Sequence, residues 1–313
     1  PGSLKARFCV QGRRALYAYC AARGVRADPI GKLILAVDEA EIAALERLMD
    51  WGGQNGVEEL RWLDAAEITA MEPAIKAVRA IHSPQSGLFD SHLYMLSLLG
   101  ELRDQGGELA VRTPFLSASP LVKQTGFKVR LGGAEPTELT ARALILSAGL
   151  ASETTAHAVR GLSPVHIPAV RYAKGSYFRL TGKAPFSRLI YPAPTPAGHG
   201  VHFTPDPNGA GKFGPDVEMV AAIDYAVDPD RRTQFAHGIK RYWPDLQEDR
   251  LQPDYAGVRP KIGAAPKAFE DFRITGPEKH GVAGLWCLFG IDSPGLTSSL
   301  ALGEHVARQV SAA

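Results

Sequence analysis

The apolar positions change period several times along the chain, and each change marks an element. Ser3 precedes Leu4, Phe8, Leu16 and Tyr19 on related helical faces, and Gly24 closes the run, which predicts a capped first helix. Gly31–Val37 reads as a buried strand, followed by an Ala/Glu/Leu-rich helix from Glu39 to about Asp50. Asp64 starts a short helix that stops before Pro73. Ser91 caps a longer one with Leu93, Leu96, Leu99 and Leu102 at spacing three, closed by Gly106-Gly107. A strand is expected at once over Glu108–Arg112, then β-like stretches at Phe127–Leu131 and Thr137–Thr140. Ala143–Ser147, the turn Ala148-Gly149 and a helix from about Leu150 to Val159 form a strand–glycine–helix unit.

From about Ile167 to Tyr225 the texture shifts to short alternating strands among prolines and glycines. Ser176–Leu180, Leu189–Tyr191, Val201–Thr204 and Glu218–Ala222 suggest an antiparallel sheet. A helix over Asp230–Trp243 and a strand over Tyr255–Ile262 follow. The end reads as a strand Leu285–Phe289, a turn Gly290–Gly295, and a helix carrying Leu296, Leu300, Leu302, Val306 and Val310. Alternation of α/β and antiparallel texture predicts two interleaved domains, an α/β part and an α+β part.

Composition narrows the class. The 313 residues are 45% hydrophobic and 22% charged, ordinary values for a globular protein. Thirty-five Lys+Arg stand against 33 Asp+Glu without a block of like charge, so no basic stripe marks a nucleic-acid partner. No apolar run approaches the roughly 18 residues of a membrane span, and attachment to a membrane surface is not indicated. The three cysteines, Cys9, Cys20 and Cys287, are scattered and form no CxxC pair, which fits a reducing compartment; a cytoplasmic location is expected. The chain opens Pro1-Gly2-Ser3 without methionine and runs straight into a helix, so further sequence is expected upstream.

Several motifs dissolve on inspection. Gly209-Ala-Gly-Lys-Phe-Gly214 matches GxGxxG, but Pro205 and Pro207 precede it and Pro215 follows. A dinucleotide fingerprint needs a strand entering and a helix leaving, so a glycine-rich hairpin loop is the better reading. Phe213 after Lys212 also rules out a P-loop. His199 and His202 stand three apart on a strand, which points them to opposite faces and disfavours a shared metal; no metal site is expected. No GxSxG elbow is present, and no cysteine has a basic neighbour that would activate it.

Two places carry chemistry. At Ser147-Ala148-Gly149 small residues let the backbone approach a flat or phosphorylated ligand, although an ordinary strand–helix turn would read the same. Gly290–Thr297 is a Gly-x-x-Ser-Pro-Gly turn opening a helix, whose free N–H groups and positive dipole end suit a carbonyl or ring nitrogen that gains charge on reduction. A capped terminal helix with Pro294 near its first turn is the bland alternative. Arg259 and Lys261 share a strand face; the arginine could hold a carboxylate bidentately, or both could be solvated surface cations.

Arg188–Pro194, Gly200-Val-His-Phe-Thr204, Phe213-Gly-Pro-Asp216, Ser3–Arg7, Lys174-Gly-Ser-Tyr177, Gly257-Val-Arg-Pro-Lys261 and Ser293–Ser298 occur in one order and spacing. Together they make essentially the whole chain resemble L-2-hydroxyglutarate dehydrogenase-like flavoproteins of the D-amino-acid oxidase superfamily. The resemblance implies a doubly wound FAD-binding domain (residues 1–28, 84–166 and 254–313) interleaved with an antiparallel substrate domain (29–83 and 167–253). It implies oxidation of an L-2-hydroxy acid by hydride transfer to flavin, with electrons passed on to an unidentified acceptor. It places Val111 at the adenine end of FAD and Ser147, Ala148, Gly149 and Leu150 at the cofactor. Lys261, Gly290, Ser293, Gly295, Leu296 and Thr297 fall near the flavin ring. Arg259 and Lys174 become candidates for the two carboxylates of a dicarboxylic substrate, and Tyr177 and His202 for polar contacts, though a core tyrosine or a satisfied strand histidine reads equally well.

The family's opening strand, true GxGxxG, ribose-binding acid and flavin-side histidine have no counterpart in this sequence. The expectation is therefore a doubly wound domain without its first βαβ unit, no catalytic base among these residues, and weak FAD binding by this chain alone. An amine oxidase of the glycine or sarcosine type, and a flavin-free ligand-binding remnant, are the rival readings.

Overall fold

Local sequence signals set the first helix, Leu4–Arg23: the Ser3 hydroxyl accepts from the Ala6 amide at 3.1 Å, and Gly24 caps the other end at φ 65°. In the computed structural model, which describes residues 1–122, 124–194, 200–206, 209–263 and 269–312, the chain divides into two compact units. Apart from Pro1, one unit comprises Arg26–Asp90 and Ala173–Val258, the other Gly2–Val25, Ser91–Tyr172 and Arg259–Ala313. No described helix is long and apolar enough to cross a membrane.

The first unit is built on a nine-stranded sheet. Its order runs Glu218–Val220, Val170–Leu180, Gly211–Phe213, Phe203–Pro205, Leu189–Pro192, Lys32–Ala36, Arg79–Ser83, Arg61–Asp64, and Leu251–Ile262 also pairs with Val170–Leu180. Leu189–Pro192 runs parallel to Lys32–Ala36, whereas the hairpin Phe203–Pro205/Gly211–Phe213 is antiparallel. The glycine-rich stretch therefore does turn a hairpin, and Gly211 is required there: a Cβ would stand 2.2 Å from the Phe203 ring. Alternation places Leu33, Leu35, Phe178, Ile190, Phe203 and Phe213 on one face, where they pack with Phe235, Ile239, Tyr242 and Trp243 from the helix Arg232–Lys240 and the turn after it. On the opposite face the helix Ile42–Gln54 covers Ile34, Ala36 and Ile81 through Leu45. The short helix Ala65–Met71 starts in a capping box between Asp64 and Glu67.

In the second unit a three-stranded sheet orders Arg273–Thr275, Leu285–Phe289 and Leu144–Leu146. Every residue of Leu285–Phe289 is buried, as befits a strand flanked on both edges and covered on both faces. A separate three-stranded meander joins Phe115–Pro120, Phe127–Leu131 and Thr137–Ala141. The last helix, Gly295–Ser311, packs with the first around Phe8, Leu302 and Val306.

One expectation fails. The segment 108–112 is no strand: Leu109 and Val111 are exposed, Arg112 adopts φ 56°, and the strand forms later, at Phe115–Pro120. A strand needs a ladder partner, and among the described residues only Phe115–Pro120 finds one, on Phe127–Leu131. The expected helix forms over Ser91–Asp104, with Leu93, Leu96 and Leu102 exposed and Tyr94 buried. Each step of three residues falls about 60° short of a full turn, so a row at spacing three winds off any one face.

Candidate active site

The turns after Leu144–Leu146 and Leu285–Phe289 belong together. The two strands run parallel and in register, Leu144 opposite Leu285 and Leu146 opposite Cys287, so both turns leave the same carboxyl end of one sheet. In open α/β sheets that end is where ligands bind. Gly149 (φ 55°) and Gly290 (φ 66°) open the turns in the left-handed region that glycine favours. Beyond them Ser147 is exposed, and Ala148, Gly149 and Leu150 are half-buried. The Gly290 turn closes through Asp292 N–H to Gly290 O (2.9 Å) and Gly295 N–H to Asp292 O (2.5 Å). Pro294 stands at the N-cap of Gly295–Ser311 and offers no side-chain acceptor, so no side chain caps the Leu296 and Thr297 amides that follow the bonded Gly295 amide. Ser293 and Leu296 are exposed there, and Gly295 and Thr297 half-buried. A close-approach turn beside a positive, uncapped helix end fits a flat cofactor whose ring becomes more anionic on reduction, as FAD does.

Asp292 is the buried charge of this turn. Its side chain is 2% exposed and meets two ammonium groups, Lys5 Nζ at 2.5 Å and Lys261 Nζ at 2.8 Å. Lys261 is thus held by a carboxylate rather than standing as an open cation. Arg259, two residues earlier, is half-buried. Val111 lies in the exposed segment between helix and meander.

In the first unit, alternation turns the neighbours of the core residues to the other face of the sheet. Tyr191 stacks on His202 with ring centroids 3.6 Å apart, and Lys32 Nζ lies 5.1 Å from the tyrosine ring. Burial pushes the Tyr191 phenol up. Tyr177 stacks on Tyr255 at 4.5 Å, with Lys212 Nζ 4.9 Å from the Tyr255 centroid. The buried Lys174 reaches Asp224 at 2.5 Å. The Lys174 hydrogen bond, helped by the Ala226 amide, holds the exposed Asp224 carboxyl below its usual range. Nearby, Asp216 accepts from the Ser176 amide at 2.7 Å and from Arg231 Nε at 2.6 Å.

Of the residues singled out in the sequence, Lys174, Tyr177 and His202 lie in the first unit, and Arg259, Lys261 and both turns in the second. His199 lies outside the described residues. Sequence reasoning missed Lys5, Asp292, Tyr191, Tyr255, Lys212 and Asp224. For Tyr191 a signal existed: once Ile190 pairs with Phe203, the residues beside them, Tyr191 and His202, must share the opposite face.

The sequence pattern of the family described as FAD dependent oxidoreductase (DAO) matches residues 1–309, and the chain belongs to that family. It is an FAD-dependent oxidoreductase with mixed α/β content and several sheets. Among its curated relatives, the mitochondrial L-2-hydroxyglutarate dehydrogenase of Arabidopsis thaliana is 40% identical over 347 residues, covering 99% of this chain and 72% of the relative. L-2-hydroxyglutarate dehydrogenase of Escherichia coli K12 is 28% identical over 350 residues, covering 99% and 80%. Two solved structures share the fold. Dithionite-reduced L-alpha-glycerophosphate oxidase from Mycoplasma pneumoniae with FAD bound has a TM-score of 0.85 at 23% identity, covering 99% of this chain and 80% of that one. Glycine oxidase from Geobacillus kaustophilus has a TM-score of 0.77 at 19% identity, covering 97% and 78%.

Proposed function

We propose that this protein oxidises an L-2-hydroxy acid, L-2-hydroxyglutarate, to the 2-oxo acid, and passes the electrons to an acceptor still to be identified. The observation that carries the reading is the 40% identity to an L-2-hydroxyglutarate dehydrogenase, spread over 99% of the chain. The second unit is the cofactor-binding part, and the first is the substrate part. Bound FAD supplies the two-electron acceptor for the carbon–hydrogen bond that is broken. The amide-rich start of Gly295–Ser311 and the turn Ser147–Leu150 hold the cofactor, with Val111 toward its adenine end. Arg259 takes a substrate carboxylate by paired hydrogen bonds, whereas Lys174, expected to take the other, is engaged by Asp224. Tyr177 and His202 supply polar contacts to the substrate.

The test is anaerobic mixing of the FAD-loaded protein with candidate substrates. Loss of the visible flavin absorbance with L-2-hydroxyglutarate, and one equivalent of 2-oxoglutarate formed, is expected. Bleaching by glycine or sarcosine, with none by the hydroxy acid, would put the amine-oxidase reading in its place. Arg259→Met should raise KM strongly while flavin stays bound; an unchanged KM removes Arg259 from the substrate.

A further inference from the structure

Asp292 joins three separate stretches of the second unit. Lys5 comes from the first helix, Lys261 from the strand Leu251–Ile262, and Asp292 itself from the turn that opens the last helix. The carboxylate is almost wholly buried, Lys5 is 11% exposed and Lys261 27%. Such a group costs desolvation energy that a neutral residue would avoid, so a charged triad here calls for more than packing. Its formal sum is +1, two ammonium groups against one carboxylate. Asp271, the other acid on this helix end, is spent on backbone: its oxygens accept from the Leu4 amide at 2.7 Å and the Lys5 amide at 2.9 Å, at the positive end of the first helix. Lys5 Nζ also lies 5.3 Å from the Phe272 ring centroid, a cation–π contact.

The triad adjoins the start of Gly295–Ser311, because the Asp292 carbonyl is the acceptor of the Gly295 amide. Fixed charge in a dry setting acts on a neighbouring redox group more strongly than the same charge in water. We infer that Lys5, Asp292 and Lys261 are positioning residues that set the electrostatic potential at the mouth of the last helix and so tune the reduction potential of the cofactor bound there. The two lysines favour its more anionic reduced form, and Asp292 moderates them while fixing their ammonium groups in place. The inference rests on the flavin reading proposed above.

The discriminating measurement is the reduced-to-oxidised flavin ratio of the FAD-loaded protein, equilibrated against a reference dye at fixed dye potential, beside thermal melting of the same samples. Asp292→Asn removes the negative charge and should move the ratio toward reduced. Lys261→Met and Lys5→Met each remove a positive charge and should move it toward oxidised, by about tenfold, which for a two-electron couple is about 30 mV. Lys261→Arg should leave it near its starting value. A merely structural ion pair predicts lower melting temperatures for all three with no shift of opposite sign, and that result would overturn the inference. Should Asp292→Asn fail to fold, the lysine variants decide alone: no shift toward oxidised in either sinks it. Failure of L-2-hydroxyglutarate to reduce the FAD-loaded, unsubstituted protein would overturn the proposed function on which this inference rests, whereas a flat ratio in flavin-loaded variants overturns only the inference.

Discussion

Gly12 stands against the backbone of Thr297: a Cβ built on it would lie 2.3 Å from the Thr297 carbonyl oxygen and 2.8 Å from Ser298 Cα. The first helix therefore passes the first turn of the last one with no room for a side chain, and the closeness fixes where the uncapped end lies. Alanine at an exposed helical site gains up to about 1 kcal/mol over glycine. Here the obstacle is backbone, so overpacking costs about 3 kcal/mol and the clash prevails. Gly12→Ala should lower the unfolding free energy by a net ~2 kcal/mol and weaken FAD retention. Gly303→Ala, on the same last helix with nothing within 4 Å, should raise stability slightly. Equal effects from the two, read by denaturant titration, would contradict the packing argument.

Glu72 holds the first unit at a different junction. Its carboxylate, 3% exposed, accepts from Ser187 Oγ at 2.7 Å, from the Ser187 amide and from Arg188 Nη1 at 3.1 Å. Arg188 is 29% exposed and can rehydrate when its partner is removed; Glu72 cannot. Arg188→Met should consequently cost about 3 kcal/mol, more than Glu72→Gln, which keeps an acceptor for Ser187. A larger loss for Glu72→Gln in equilibrium unfolding would reverse that assignment.

Stability should fall on the acid side of neutrality. Burial holds His280 and His82 below the usual histidine value, with neighbouring charges (His166 for one, Arg61 and Arg188 for the other) acting in the same direction. His280 Nδ1 also accepts the Val282 amide at 3.2 Å, which needs an unprotonated nitrogen. Between the folded pKa and the unfolded value near 6.5 the unfolded chain binds more protons. Stability is therefore complete above about pH 6.5 and drains away as the pH drops through that window. Denaturation midpoints measured from pH 8 to pH 5.5 should decline, and His280→Gln should flatten the decline.

Thiol chemistry gives a direct readout of the second unit's core. Burial pushes the Cys287 thiol up to about 12, and that of Cys20 upward as well, so neither is an available thiolate near neutral pH. Native protein treated with a maleimide at pH 8 should leave Cys20 and Cys287 unmodified over a time in which all three thiols label in denaturant. Rapid native labelling of Cys287 would mean that the strand Leu285–Phe289 opens far more readily than its burial implies.

Most of the framework is legible in the sequence because it is locally encoded. Leu285–Phe289 is five apolar residues between glycines, and the first helix carries its own serine and glycine caps. The two glycine turns are legible for the same reason. What escapes is whatever depends on distant pairing. Segment 108–112 has strand composition, but it has no ladder partner among the described residues and Arg112 adopts φ 56°. Asp292 and Lys5 are 287 residues apart, so no window along the chain unites them. Lys174 looks like an open cation until the fold brings Asp224 to it, 50 residues away.

The chain passes from one unit to the other between Val25 and Arg26, Asp90 and Ser91, Tyr172 and Ala173, and Val258 and Arg259. Two of these passages fall inside the strands Val170–Leu180 and Leu251–Ile262. No single break in the gene could then yield either half intact. During synthesis the first half lacks its last strand until Val258 has left the ribosome, and the other must await the helix Gly295–Ser311. Nascent chains of this protein therefore carry an unfinished sheet until Phe289 has emerged, and their yield in cells should track chaperone capacity more closely than the melting temperature of the finished fold.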